Sequence, residues 1–277
     1  MIIFFLIVSL FHVTVVKSAP VSAGSSRSST GGSAAYSLSL TTFDPSGRLQ
    51  QLEHAYRCVD GAWPCCAYVC DDGLVVAKWA AHVEGASKQC LQICRVSDRL
   101  CLTYAGLKSD FRALTKKCRE LAVDYVRDFD TEPSVCYLAD AMSSILQEHT
   151  QRGGLRPFGC TLILAGVDDD DTSLKIYTIE PSGWSAPFYS AAIGLDAKKL
   201  QDQLRGKVDD VIKVLKNFEI DSTSHFEATK RTDHKGNVLS ERPSLQCSLA
   251  IISLVDESPH IRLYADIQDY YSETTTQ

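Results

Sequence analysis

The apolar runs of this chain are too dense and continuous for a sheet with one wet face, and that restricts the folds open to it. Residues 64–71 and 74–79 read as two strands joined by the hairpin signal Asp71-Asp72-Gly73, and 90–96 and 99–105 as a second pair. Residues 160–166 and 174–180 form a third pair. Pro181-Ser182-Gly183 then turns the chain into a strand that ends near Gly194, and strands at 245–255 and 261–264 come late. Two helical patterns sit between the second and third pairs. One is capped by Ser109 and aligns Phe111, Leu114, Cys118, Leu121, Tyr125 and Phe129. The other has Pro133 in its first turn, then Val135, Leu138, Met142, Ile145 and Leu146, and stops at Gly153-Gly154. A further helix over 209–218 turns Val211, Val214, Leu215 and Phe218 inward; the polar stretch 221–242 reads as loop, and a short helix and polar tail close the chain. Two sheets packed face to face with helices outside satisfy this order, an α+β, four-layer αββα sandwich.

Composition narrows the partners. With 277 residues the chain can bury one large core or two small ones. A net charge of −6 and no basic block argue against a nucleic-acid surface. Eleven cysteines, odd in number and irregularly spaced, point to reduced, buried thiols. Cys66/Cys70 and Cys90/Cys94 have a spacing compatible with zinc, but each lies in an apolar β-like run without a suitably spaced His. The run of four aspartates at 168–171 lacks the alternation of a calcium loop and reads as a solvated hairpin tip. No metal and no cofactor is expected.

Residues 1–17 form a hydrophobic, leader-like segment, short for a spanning helix, so no membrane partner is expected. Residues 18–35 form a Ser/Gly/Ala-rich flexible linker. The leader is either a targeting segment or the product of a start codon placed too far upstream. The abrupt beginning of patterned sequence at Tyr36 favours the second.

From Tyr36 the chain reads Tyr-Ser-Leu-Ser-Leu-Thr-Thr-Phe-Asp-Pro-Ser-Gly-Arg-Leu-Gln-Gln-Leu-Glu-His-Ala-Tyr-Arg-Cys-Val. That is a short extended arm, a turn at Asp44-Pro45-Ser46-Gly47 with Ser46 as helix-start residue, and an amphipathic helix with Leu49, Leu52, Tyr56 and Val59 on one face. A second dense string, Gln-Glu-His-Thr-Gln-Arg-Gly-Gly-Leu-Arg-Pro-Phe-Gly, covers 147–159. Both strings resemble those of proteasome α-type subunits, the first most like the type-2 form, and Glu180-Pro181-Ser182-Gly183 is similar to a further family pattern, with Glu180 in place of an Asp. The resemblance assigns 36–277 to one α-type domain and implies the N-terminal-nucleophile hydrolase fold.

Active members of that fold use an N-terminal Thr tuned by an Asp and a Lys. The corresponding positions here are Trp63, Trp79 and Gln92, so the resemblance implies no catalytic residue. Two alternatives stay open: a Cys-type amidase with Cys65 as nucleophile after cleavage, and a degenerate paralogue outside the ring. The resemblance further places Tyr36, Pro45 and His54 at gate-related positions and Gln92 where many α subunits carry a lysine for an activator's C-terminal carboxylate. It implies a non-catalytic structural and gating subunit with other α subunits in a seven-membered ring, β subunits, and a regulatory particle or activators as partners. The compartments implied are cytoplasm and nucleus.

Overall fold

Strand parity sets the layers. In β2 (Gly73–Ala81), Leu74 and Val76 point to one side while Val75, Ala77 and Trp79 point to the other, and both sets are buried. A strand buried on both faces must be covered twice, and it is. The structure, a computed structural model, describes residues 41–81, 92–168, 173–218, 245–255 and 258–274. The leader, the linker, Tyr36, Cys90, residues 169–171 and the polar stretch 221–242 lie outside them.

Helix α1 (Gln50–Asp60) leads into β1 (Cys65–Cys70), which pairs with β2; β3 (Cys94–Arg95) and β4 (Leu100–Gly106) follow. Helices α2 (Lys108–Phe129) and α3 (Val135–Gln151) come next, then β5 (Cys160–Val167), β6 (Leu174–Ile179), β7 (Ser185–Phe188) and β8 (Ser190–Ile193). Helices α4 (Ala197–Gln203) and α5 (Val208–Asn217), strands β9 (Leu245–Val255) and β10 (Ser258–Tyr264), and α6 (Ile267–Thr274) complete the described chain. One sheet has the order β10-β9-β2-β1-β8 and the other β3-β4-β5-β6-β7, every pairing antiparallel.

Three apolar layers result. Leu100, Leu102, Leu162 and Leu164 pack under α2 and α3; Val75, Ala77 and Leu249 pack under α4, α5 and α6. Between the sheets the side chains are mostly small or β-branched: Ala67, Ala105, Ala165, Ala191 and Ala250 beside Val76, Ile163 and Ile252. Small residues let the sheets approach closely, and each buried Leu or Ile contributes roughly 1.5–3 kcal/mol. This is the expected αββα sandwich. At Gly106, φ of +123° and the carbonyl of Gly159 leave no room for a Cβ, so the β4–α2 corner requires glycine.

The structure corrects several boundaries. Helix α2 begins at Lys108 after Leu107, with Ser109 inside its first turn and not capping it. Ser134 caps α3, its Oγ accepting the Tyr137 N–H at 3.1 Å, and Pro133 precedes the helix. Helix α4 carries no extended apolar stripe and was not expected. The strand expected to end near Gly194 is two strands: β7 pairs with β6 in one sheet and β8 with β1 in the other. The chain changes sheets at Tyr189, whose carbonyl accepts the Val69 N–H at 2.9 Å.

Candidate functional site

Helix α1 is held at both ends. Asp44 Oδ1 accepts the Ser46 N–H and the Arg48 N–H at 2.9 Å each and the Ser46 hydroxyl at 2.6 Å; Oδ2 accepts from Gln50 Nε2 at 2.8 Å. These bonds, that from the Ser46 side chain foremost, pull the Asp44 carboxyl down to about 2. Ser46 therefore serves the turn, not the helix: α1 starts at Gln50 after an extended Leu49, a correction to the expected start. The β-turn spends the Ser46 hydroxyl locally, so it cannot reach a helical N–H. Further along, Tyr56 donates to Glu180 Oε2 at 2.7 Å and lies 3.1 Å from the Ser182 hydroxyl, and burial raises its phenol to about 12. The turn at Glu180-Pro181-Ser182-Gly183 thus anchors α1. Val59 and Ala55 are buried, whereas Leu49 and Leu52 are half-covered. Pro45 and His54 are exposed; Tyr36 lies outside the described residues.

Trp63, Trp79 and Gln92 do not converge. Trp79 turns to the helix-side core, its ring 5.6 Å from that of Phe218. Trp63 and Gln92 are joined through two residues that pattern reading passed over, Lys78 and Tyr104. Lys78 Nζ donates to the Trp63 carbonyl at 2.5 Å and lies 5.1 Å from the centre of the Tyr104 ring; the Tyr104 hydroxyl donates to Gln92 Oε1 at 2.9 Å. Burial lowers the Lys78 ammonium to about 8, against a smaller opposing pull from Cys65 and Cys247. The signal was present in the alternation: Leu74, Val76 and Lys78 share one strand face, so a lysine there has to enter the space between the sheets.

Cys65 is fully buried in the middle of the sheet between Lys78 and Ile193, and burial pushes its thiol up to about 12. A protonated thiol paired on both flanks is a packing group, not a nucleophile. The ten described cysteines are free; Cys58 and Cys136 are exposed, which corrects the expectation of uniformly buried thiols. Among the described residues no group of three or more His, Cys, Asp or Glu is arranged to hold a metal ion. No described helix is long and apolar enough to cross a membrane.

The second string builds a lock. Arg156 clamps Asp110 with two bonds of 2.7 Å, and the Gly159 N–H gives Oδ2 a third at 2.9 Å. Burial works to raise this carboxyl, but the Arg156 and Gly159 hydrogen bonds and the Arg156 charge outweigh it and hold it below its ordinary value. Asp110 sits in the first turn of α2, where the helix dipole favours an anion. The string thereby pins the entry of β5 to the start of α2.

Residues 59–240 match the family model described as proteasome subunit. The chain belongs to the proteasome subunit family. It is 30% identical over 247 residues to proteasome subunit alpha type-2-A of Arabidopsis thaliana, covering 87% of this chain and 99% of that protein. It is 32% identical to proteasome subunit alpha type-2 of Drosophila melanogaster, over 69% of this chain and 79% of the relative. The Dictyostelium discoideum type-2 subunit is 34% identical, over 65% and 77%. The chain is a structural, non-catalytic proteasome subunit of the α type.

Proposed function

We propose that this chain occupies a place in a seven-membered α ring, packs against β subunits that carry the active threonines, and contributes to a gated pore for unfolded protein. The observation that carries the reading is α1. It is pinned by Asp44 at one end and by Tyr56 to the turn at 180–183, while Leu49 and Leu52 stay half-covered. A helix fixed in place with an unfinished apolar face suits a neighbour in an assembly. Tyr36, Pro45 and His54 would be the gate-related residues of the arm, turn and helix. Gln92 would offer an activator's carboxylate a neutral amide whose oxygen already accepts from Tyr104. The working compartments are cytoplasm and nucleus, with 36–277 as the functional domain; N-terminal sequencing of native protein tests both, because a retained leader would contradict them.

Size-exclusion of native lysate tests ring membership. The chain should elute with a particle many times its 30.5 kDa. Recovery solely as monomer, or in the culture medium, would sink the proposal. Purified chain should leave fluorogenic peptides intact, and turnover abolished by Cys65→Ala would revive the amidase alternative.

A further inference from the structure

The layer between the sheets is apolar along most of its length and turns polar at the end beneath α1. Thr161 shares a strand face with Ile163 and Ala165, and Thr178 shares one with Ile176, so both hydroxyls enter that layer. Both threonines are buried. A cavity of about 410 Å³ opens there, between β5 and β6 of one sheet and β8 of the other. Tyr56, Val59 and Asp60, at helical spacing, give it a wall from α1.

The charges around this cavity are of one sign. Asp60 and Glu180 line it, and no Lys, Arg or His does; Arg57, in the same turn as Asp60, is not part of the wall. Among the described residues neither carboxylate is in an ion pair. Glu180 accepts from Tyr56 through Oε2, which leaves Oε1 for another donor. Asp60 ends α1, where the helix dipole adds partial negative charge. Trp184 and Phe188 form an exposed aromatic lip, their ring centres 6.3 Å apart and their planes at 63°. Ser190 also lines the cavity, and its Oγ is buried without a hydrogen-bond partner.

These features select a ligand class. Aromatic faces attract organic ammonium ions, and indole does so best. Carboxylates supply the countercharge, hydroxyl oxygens accept ammonium N–H bonds, and Val59 and Ile193 offer apolar wall to a hydrocarbon chain. An anion would meet two like charges here. A neutral apolar molecule would cover the carboxylates without pairing them, which is costly.

We propose that this cavity binds the ammonium group of a linear aliphatic amine, with Asp60 and Glu180 as counter-ions and Trp184 against the charged head. The site is complete within one chain and does not rest on the ring reading.

Calorimetric titration of the purified full-length chain with cadaverine, at constant ionic strength, tests it. Wild type should bind saturably, Asp60→Asn at least tenfold more weakly, and Trp184→Leu several-fold more weakly, with Trp184→Phe close to wild type. Asp60 and Trp184 are both exposed, so these changes leave the core intact. Asp71→Asn, which removes an exposed carboxylate from the β1–β2 turn, should bind like wild type. Absence of saturable binding would overturn the proposal. Equal binding of the matching uncharged diol would also overturn it, by showing a merely apolar cavity. So would displacement of cadaverine by magnesium at matched ionic strength, or an equal loss in Asp71→Asn, since either would reduce the effect to diffuse charge. Acetyl-lysine methylamide, titrated in parallel, identifies the source of the amine. A tenfold preference for cadaverine points to a free amine and equal binding to a lysine side chain; both uphold the site.

Discussion

Asp110 and Lys78 are both withdrawn from water, at 5% and 3% exposure, yet only one meets a countercharge. Asp110 receives a two-pronged guanidinium and a backbone N–H, and the field around it favours the ionised form. Lys78 receives a carbonyl, the face of a tyrosine ring and thiols, and its surroundings favour the neutral amine. The first is a fastening between α2 and the β5 entry. The second is a cost carried between the sheets. Burial of a charge says little about stability until its partners are counted.

The largest effect should come from opening the fastening. Asp110→Ala removes the Arg156 partner and orphans the Gly159 N–H, so it should lose about 3 kcal/mol in denaturant unfolding. A folded-state carboxyl held below its unfolded value gives stability that is full above pH ~4 and disappears as pH falls through that value toward the folded one. The gap between wild type and Asp110→Ala should accordingly shrink below pH ~4; a gap that stays constant on acidification would show the carboxylate charge to be irrelevant.

Lys78→Met should go the other way. At pH 7 the folded chain holds a buried ammonium, and relieving it should gain about 2 kcal/mol after the loss of the Trp63 bond. Between about 8, the folded value, and ~10.4, the unfolded chain binds more protons, so wild-type stability rises with pH and the advantage of Lys78→Met fades. An advantage unchanged from pH 7 to pH 10 would mean that the folded chain keeps Lys78 charged as readily as the unfolded chain does, and the contrast with Asp110 would fail.

Asp168 is an intermediate case, accepting from the Val135 N–H at 2.7 Å and from Lys175 at 2.6 Å. Asp168→Asn keeps one acceptor and loses the ion pair, for a loss of about 1 kcal/mol; a loss as large as that of Asp110→Ala would erase the distinction drawn from partner number. Smallest of all, Tyr104→Phe should cost roughly 0.5–1 kcal/mol through the Gln92 bond while leaving the ring under Lys78. Its pH profile should overlay the wild type, and a displaced Lys78 midpoint would transfer the effect from ring to hydroxyl.

Periodicity made the architecture legible, because strand parity and helical stripes report burial directly. The stripe from Phe111 to Cys118 and that from Val135 to Leu146 are the core expected of them. What pattern could not give was partner choice. Ser46 and Ser109 are both good helix-start residues, but Asp44 captures the first and Leu107 precedes the helix that holds the second. Family correspondence placed Trp63, Trp79 and Gln92 together by position, yet parity sends Trp79 to the opposite face. Lys78 was readable in principle from its phase in β2. Tyr104 was not, since only the stacking of its ring on Phe111 at 4.0 Å and the reach of its hydroxyl bring it to Gln92.

The change of sheets at Tyr189 carries a consequence for how this molecule comes together. Strands β7 and β8 are neighbours in sequence, but each closes the edge of a different sheet, with one residue between them. Neither sheet can therefore finish assembling while the other is still far away, since a single extended residue cannot span a wide separation. The two halves of the sandwich share one cooperative transition, and the edge that β8 completes also waits on β1, more than a hundred residues earlier. Such long-range closure makes folding slow relative to a chain of local contacts. Tyr189, 85% exposed at the crossing, marks the point where that shared transition is tied.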